Sequence, residues 1–167
     1  MTQLRAMPAA AFEPYVQTSV AGYAEDNVTA GRWPREGALE RSRAEFESLL
    51  PQGLDTPDNH LFQIMATPAG PVVGVIWFAV DVKHGLRSAF VYDVEIHAPF
   101  RRQGHALRAF QALEPVVAAL GLSAIGLHVF GHNPGAQALY AKLGYGVTGI
   151  NMVKNLAGGR AAAAPAG

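Results

Sequence analysis

Apolar positions along the chain change period twice, from helical to alternating near residue 60 and back to helical near residue 104. Thr2 to Met7 has the makings of a short first strand. Phe12, Tyr15, Val16, Val20 and Tyr23 then recur at helical spacing, and Pro14 is tolerated near a helix start. Pro34 predicts the opening of a second helix with Leu39, Ser42, Phe46, Leu49 and Leu50 on one face, closed by Pro51 and Gly53. Leu61 to Thr67, Pro71 to Val82 and Ser88 to His97 are rich in β-branched and aromatic residues and are joined by turn-like Pro-Ala-Gly and His84-Gly85, so they read as consecutive antiparallel strands. From Gly104 to Leu120 the pattern is helical, with Leu107, Phe110, Leu113, Val117 and Leu120 predicted to face inward and Pro115 predicted to kink the helix. Ser123 to Phe130 reads as a further strand. Asn133-Pro134 is a cap followed by proline at the first helical position, and Gly144 stands where a left-handed C-cap belongs, which predicts a short helix over Pro134 to Leu143. A last strand, Tyr145 to Val153, completes a predicted mixed sheet with helices packed on it.

Length and composition narrow the class. A chain of 167 residues is enough for one domain. The expected division is a domain over 1–155 and a tail from Leu156 to Gly167, whose Gly, Ala and Pro leave nothing large to bury and predict disorder. The longest apolar stretch, Pro71 to Val82, is interrupted by Gly74 and falls well short of the ~20 residues of a membrane span. Thirteen basic and thirteen acidic residues cancel, so there is no basic field of the kind that holds a nucleic-acid backbone. The charged fraction of 16% gives little mutual repulsion between copies and is compatible with a homodimer. The absence of cysteine removes disulfides, thiolate metal sites and any cysteinyl intermediate. The first residues lack a basic segment followed by an apolar run, so the expected location is the cytoplasm.

The segment that carries chemistry runs from Val91 to Ala106, a strand turning directly into a helix. A helix start offers unpaired N–H groups and the positive end of a dipole. Arg101 and Arg102 add charge there, and Gly104 lets a phosphate approach the backbone. The sequence has neither the Gly-Lys-Ser/Thr ending of a Walker loop nor three spaced glycines of a dinucleotide fingerprint. Arg101-x-x-Gly104-x-Ala106, following a strand written Asp93-Val-Glu-Ile96, resembles the acetyl-CoA signature of the GCN5-related N-acetyltransferase (GNAT) superfamily. A second block is similar to that family as well: Leu127 to Asn133, Ala136, Leu139-Tyr140 and Leu143-Gly144-Tyr145. Pro115 is a departure from the family's usual helix.

The resemblance implies an α/β (α+β) fold whose mixed sheet has six to seven strands, splayed between the fourth and fifth, with about four helices. It implies acetyl-CoA as co-substrate in that splay and transfer of the acetyl group to a primary amine by direct attack in a ternary complex. Val94 and Ile96 would pair with the pantetheine arm through their backbones, Ile96 N–H would face the thioester oxygen, and Arg101, Arg102, Gln103, Gly104, His105 and Ala106 would hold the pyrophosphate. Asn133 is a helix cap and a second candidate for cofactor contact. Tyr140 matches the family's usual acid. Two bases stay open: His128, at a position where the similar N-terminal acetyltransferases of ribosomal proteins carry glutamate, and Glu95 on the adjoining strand.

For the acceptor the first two helices are the candidate region, with Glu25 attracting an ammonium, Asn27 orienting it, and Tyr23 and Trp33 as walls. A small-molecule amine is the first expectation, a protein N-terminus or lysine the second, and a non-catalytic acyl-CoA-binding regulatory module the rival from another class. His97, His105 and His132 lack metal-ligand spacing, so no metal is expected.

Overall fold

Val73 to Ala79 is an unbroken run of buried residues, so the strand that carries it is covered on both faces. That strand is the middle of a five-stranded sheet in a computed structural model describing residues 1–156. The strands are β1 (Gln3–Ala6), β2 (Asn59–Met65), β3 (Val72–Lys83), β4 (Leu86–Ile96) and β5 (Ile125–Leu127), in spatial order β1-β2-β3-β4-β5. All neighbours are antiparallel except β4 and β5, which are parallel. Among the described residues there are four α-helices: α1 (Ala9–Thr29), α2 (Ala38–Leu49), α3 (His105–Ala119) and α4 (Pro134–Lys142). Two compact units result. Among the described residues, one joins Met1–Glu13 to Leu50–His128; the other joins Pro14–Leu49 to the residues from Val129 to Leu156.

In the first unit α3 lies against β1 and β4 and buries Ala109, Phe110, Leu113 and Val117, spaced for one helical stripe. Burying each of the three larger side chains contributes about 1.5–3 kcal/mol. Leu120, expected inward, lies one residue past the helix and is exposed. Pro115 is within α3, which continues to Ala119.

The register of β3 on β4 shifts once, with Trp77 opposite Asp93 and Phe78 opposite Val91, leaving Tyr92 as an extra residue. Such a bulge bends its strand. Pairing of β4 with β5 covers only Ala89, Phe90 and Val91 and stops at that bulge, so Tyr92 to Ile96 have no β5 partner. The two strands thus stop pairing after Val91, in the region where the splay is expected.

In the second unit α2 begins at Ala38 and not at Pro34. Gly37 has φ +72° and Ala38 N–H closes a turn onto Arg35 C=O, a path no helix can follow. The buried stripe is Ala38, Ser42 and Phe46, with Leu39 exposed, because small Ala38 and Ser42 allow close approach to α1. Ser42 Oγ donates to Val20 C=O of α1 at 2.7 Å. α4 starts as expected, with Asn133 Oδ1 accepting from Ala136 N–H at 3.1 Å and Pro134 in the first turn.

Two expectations about strands need correction. Five strands form among the described residues, not six to seven, because Tyr145 to Val153 adopts no strand. Val147, Ile150, Met152 and Val153 are all strongly exposed, so nothing covers a face of that segment and no neighbouring ladder supports it. The strand expected over Ser123 to Phe130 is confined to β5. Of the expected tail, Leu156 is irregular and exposed, and 157–167 lie outside the described residues.

Candidate functional site

Backbone direction along β4 decides which groups face the opening. His97 N–H donates to Val73 C=O of β3 at 2.8 Å. Peptide groups alternate along a strand, so Glu95 and Asp93 turn toward β3 while Val94 and Ile96 turn toward the unpaired edge. This is an open stretch of ladder that an extended chain can join. Ile96 C=O is already taken by Arg101 Nε at 2.8 Å. What Ile96 offers on that edge is its N–H.

Beyond β4 the chain makes one 3-10 turn, Ala98–Phe100, and enters α3 through a loop with two left-handed residues, Arg102 at φ +62° and Gly104 at φ +78°. Alternating hand gathers successive N–H groups into a concavity suited to an anion. The first bond of α3 runs from Arg108 N–H to Gly104 C=O at 3.2 Å, which leaves the N–H groups of His105, Ala106 and Leu107 without helical acceptors. A Cβ at Gly104 would come within 2.8 Å of Arg108 Nη1.

Side chains of this loop tie it down from outside. Gln103 Nε2 donates to Pro99 C=O at 3.1 Å and Arg108 Nη2 donates to Gln103 C=O at 2.8 Å. His105 is buried, with Nδ1 3.1 Å from Thr2 Oγ1, and its ring meets Phe100 edge-on. Burial, then the neighbouring Arg108 charge, lower the His105 pKa and favour the neutral ring. His105 thus presents only its backbone N–H to the concavity. Arg101 and Arg102 are exposed at its rim.

Of the candidates for proton transfer, Glu95 is half-buried on β4, beside Val94 and Ile96, and His128 is exposed one residue beyond β5. Both belong to the unit that carries the cradle. Tyr140 belongs to the other unit, buried in α4, with its ring edge-on to Tyr145 at 5.7 Å. Asn133 also lies there and spends Oδ1 on its cap.

The acceptor candidates lie together in the second unit. Tyr23 packs edge-on against Trp33 at 5.4 Å and against Phe46 at 6.2 Å. Burial and a hydrogen bond to Glu45 raise the Tyr23 pKa. Asn27 is fully buried, donates Nδ2 to Tyr23 C=O at 2.8 Å, and receives Arg32 and Trp33 N–H on its own C=O. Its Oδ1 is buried without a partner. Glu25 is held by Arg35 through two 3.0 Å bonds, and this pairing lowers its pKa. Asp26 approaches His132 at 3.3 Å. Among the described residues no cluster of three metal-ligating side chains forms. Sequence reading missed Thr2, Arg108 and Gly74, whose importance comes from contacts between distant segments.

A model described as the Acetyltransferase (GNAT) family matches residues 25–145. Over 145 residues the chain is 36% identical to YycN of Bacillus subtilis strain 168, named as an uncharacterized N-acetyltransferase, covering 87% of this chain and 92% of YycN. YdgE of the same organism, named in the same way, is 37% identical over the same shares. The crystal structure of YycN matches with a TM-score of 0.88 at 35% identity, over 93% of this chain and 99% of that one. A GCN5-related N-acetyltransferase from Ralstonia eutropha JMP134 gives a TM-score of 0.67 at 18% identity, over 95% of this chain and 100% of that one, a likeness of fold alone.

Proposed function

Because the chain belongs to the acetyltransferase (GNAT) family, we propose that it transfers an acetyl group from acetyl-CoA to a primary amine, by direct attack in a ternary complex. The carrying observation is the cradle of unpaired N–H groups from Arg102 to Leu107, reached from a β4 edge that has no partner strand. The cradle suits a diphosphate and the edge suits an extended amide arm, so the chemistry of CoA fits both. Bound there, acetyl-CoA supplies an activated thioester.

The residues divide the work. Val94 and Ile96 align the pantetheine arm, and Ile96 N–H donates to the thioester oxygen as negative charge develops on it. Glu95 or His128 removes a proton from the acceptor ammonium, freeing the lone pair that forms the new C–N bond. Tyr140 gives its proton to the sulfur as the C–S bond breaks, and the second proton, shed by the newly acylated nitrogen, restores the tyrosine. The acceptor is a small-molecule amine, received in the second unit by Tyr23, Asn27 and Trp33. Glu25 takes part by exchanging Arg35 for the ammonium.

Calorimetric titration with CoA and with pantetheine tests the cradle. One CoA per chain is expected, with much weaker binding of pantetheine, which lacks the diphosphate. Equal affinity for the two would contradict the assignment.

A further inference from the structure

The cradle is held from behind by residues 106 positions apart in sequence. Arg108 Nη2 donates to Gln103 C=O at 2.8 Å and its Nε donates to Thr2 Oγ1 at 2.9 Å. Thr2 Oγ1 lies 3.1 Å from His105 Nδ1, and Arg108 Nη2 lies 3.3 Å from the same nitrogen. Thr2 is buried although Met1 beside it is exposed. A hydroxyl that accepts from Arg108 has its one proton left for His105, and a neutral His105 with a bare Nδ1 can receive it. The bonds therefore run in one direction, from guanidinium to hydroxyl to imidazole.

The consequence follows from peptide geometry. A trans peptide is planar, with C=O and the next N–H pointing in opposite directions. Fixing Gln103 C=O on Arg108 therefore fixes where Gly104 N–H points. At φ +78° Gly104 is the residue most free to flip that peptide, so a restraint at this position matters more than elsewhere in the loop. We propose that Thr2 and Arg108 are positioning residues for the anion cradle, locking the Gln103–Gly104 peptide so that its N–H faces the diphosphate of acetyl-CoA. This rests on the acetyl-CoA reading above.

The fork of Arg108 is essential to this role, because two different nitrogens bind two different acceptors. A lysine at 108 keeps the charge and loses the fork. The test is the Kd for CoA and for pantetheine, measured by calorimetry on the whole chain, together with kcat at saturating acetyl-CoA.

Arg108→Met is expected to raise the Kd for CoA about tenfold, the scale of one charge-assisted hydrogen bond. Pantetheine affinity and kcat should stay within about twofold. Arg108→Lys should bind CoA no better than about threefold more tightly than Arg108→Met. Thr2→Val should weaken CoA binding several-fold, and Thr2→Ser, which restores the hydroxyl, should return it to the parent value. Unchanged CoA affinity in Arg108→Met, full recovery in Arg108→Lys, or equal losses for CoA and pantetheine would overturn the proposal. If the parent binds no CoA, the acetyl-CoA reading falls with it; if the parent binds and the variants match it, only the positioning role falls.

Discussion

Gly74 of β3 lies so close to Glu95 of β4 that a Cβ on it would strike the Glu95 carbonyl oxygen. Glu95 lies in the part of β4 beyond Val91 that has no β5 partner, so the distance between β3 and β4 here sets where the open edge runs. Gly74→Ala should destabilise the protein by about 1–3 kcal/mol, the usual cost of overpacking. It should also weaken CoA binding several-fold through displacement of Val94 and Ile96. Chemical denaturation and calorimetry on the same variant check both; normal CoA affinity would mean that β4 does not line the arm.

Gly104 faces two penalties when substituted. Its left-handed backbone costs a β-carbon-bearing residue about 1–2 kcal/mol, and the new Cβ would crowd Arg108 Nη1. Gly104→Ala should weaken CoA binding, and Gly104→Glu should abolish it by placing bulk and negative charge in the cradle. Unchanged CoA affinity in Gly104→Glu would sink the diphosphate assignment.

Tyr140→Phe deletes one oxygen and leaves the buried ring. With Tyr140 as the acid, kcat should fall by about 10²–10⁴-fold, the range for one general acid, with CoA affinity retained. Glu95→Gln and His128→Ala identify the base: the one that removes the rise of kcat/KM with pH carries the role. A Tyr140→Phe variant as fast as the parent would remove tyrosine from the mechanism.

Two histidines make stability depend on pH. Burial leads the lowering of pKa at both His105 and His60, with Arg108 adding to it at the first and Asp58 opposing it at the second. A lowered folded pKa means that the unfolded chain binds more protons between that value and about 6.5. The contribution of these two histidines is therefore complete above about pH 6.5, is lost as pH falls through this window, and levels off below the folded pKa. Melting temperatures from pH 8 to 5 should decline more steeply for the parent than for His105→Gln, and a parallel decline in both would contradict the contribution of His105.

Local signals in the sequence reported the parts of the fold that local chemistry decides. Asn133 and Pro134 announce α4 because a cap and a fixed φ need no distant partner. Gly104 announces the cradle for the same reason. The open edge of β4 was expected from family likeness, but its physical cause, the extra residue Tyr92, depends on register against Trp77 and Phe78 and has no local mark. Leu39 and Leu120 have the right hydrophobicity for a core and are exposed, because small Ala38 and Ser42 set the face of α2 and α3 stops at Ala119. Tyr145 to Val153 has strand-like residues and no adjoining ladder, and propensity without a partner does not make a strand. Thr2 and Arg108 were invisible for a plainer reason: their hydrogen bond joins positions that only the folded chain brings together.

The most direct test of the proposed function is acceptor-dependent release of CoA thiol from acetyl-CoA, measured with a thiol reagent across metabolite amines and peptides. The chain has no cysteine, so every thiol that appears belongs to CoA. The predicted result is release with at least one small-molecule amine, equimolar with N-acetylated product and lost in Gly104→Glu. Tight CoA binding with no thiol release for any amine or peptide would contradict acetyl transfer and leave a CoA-binding module.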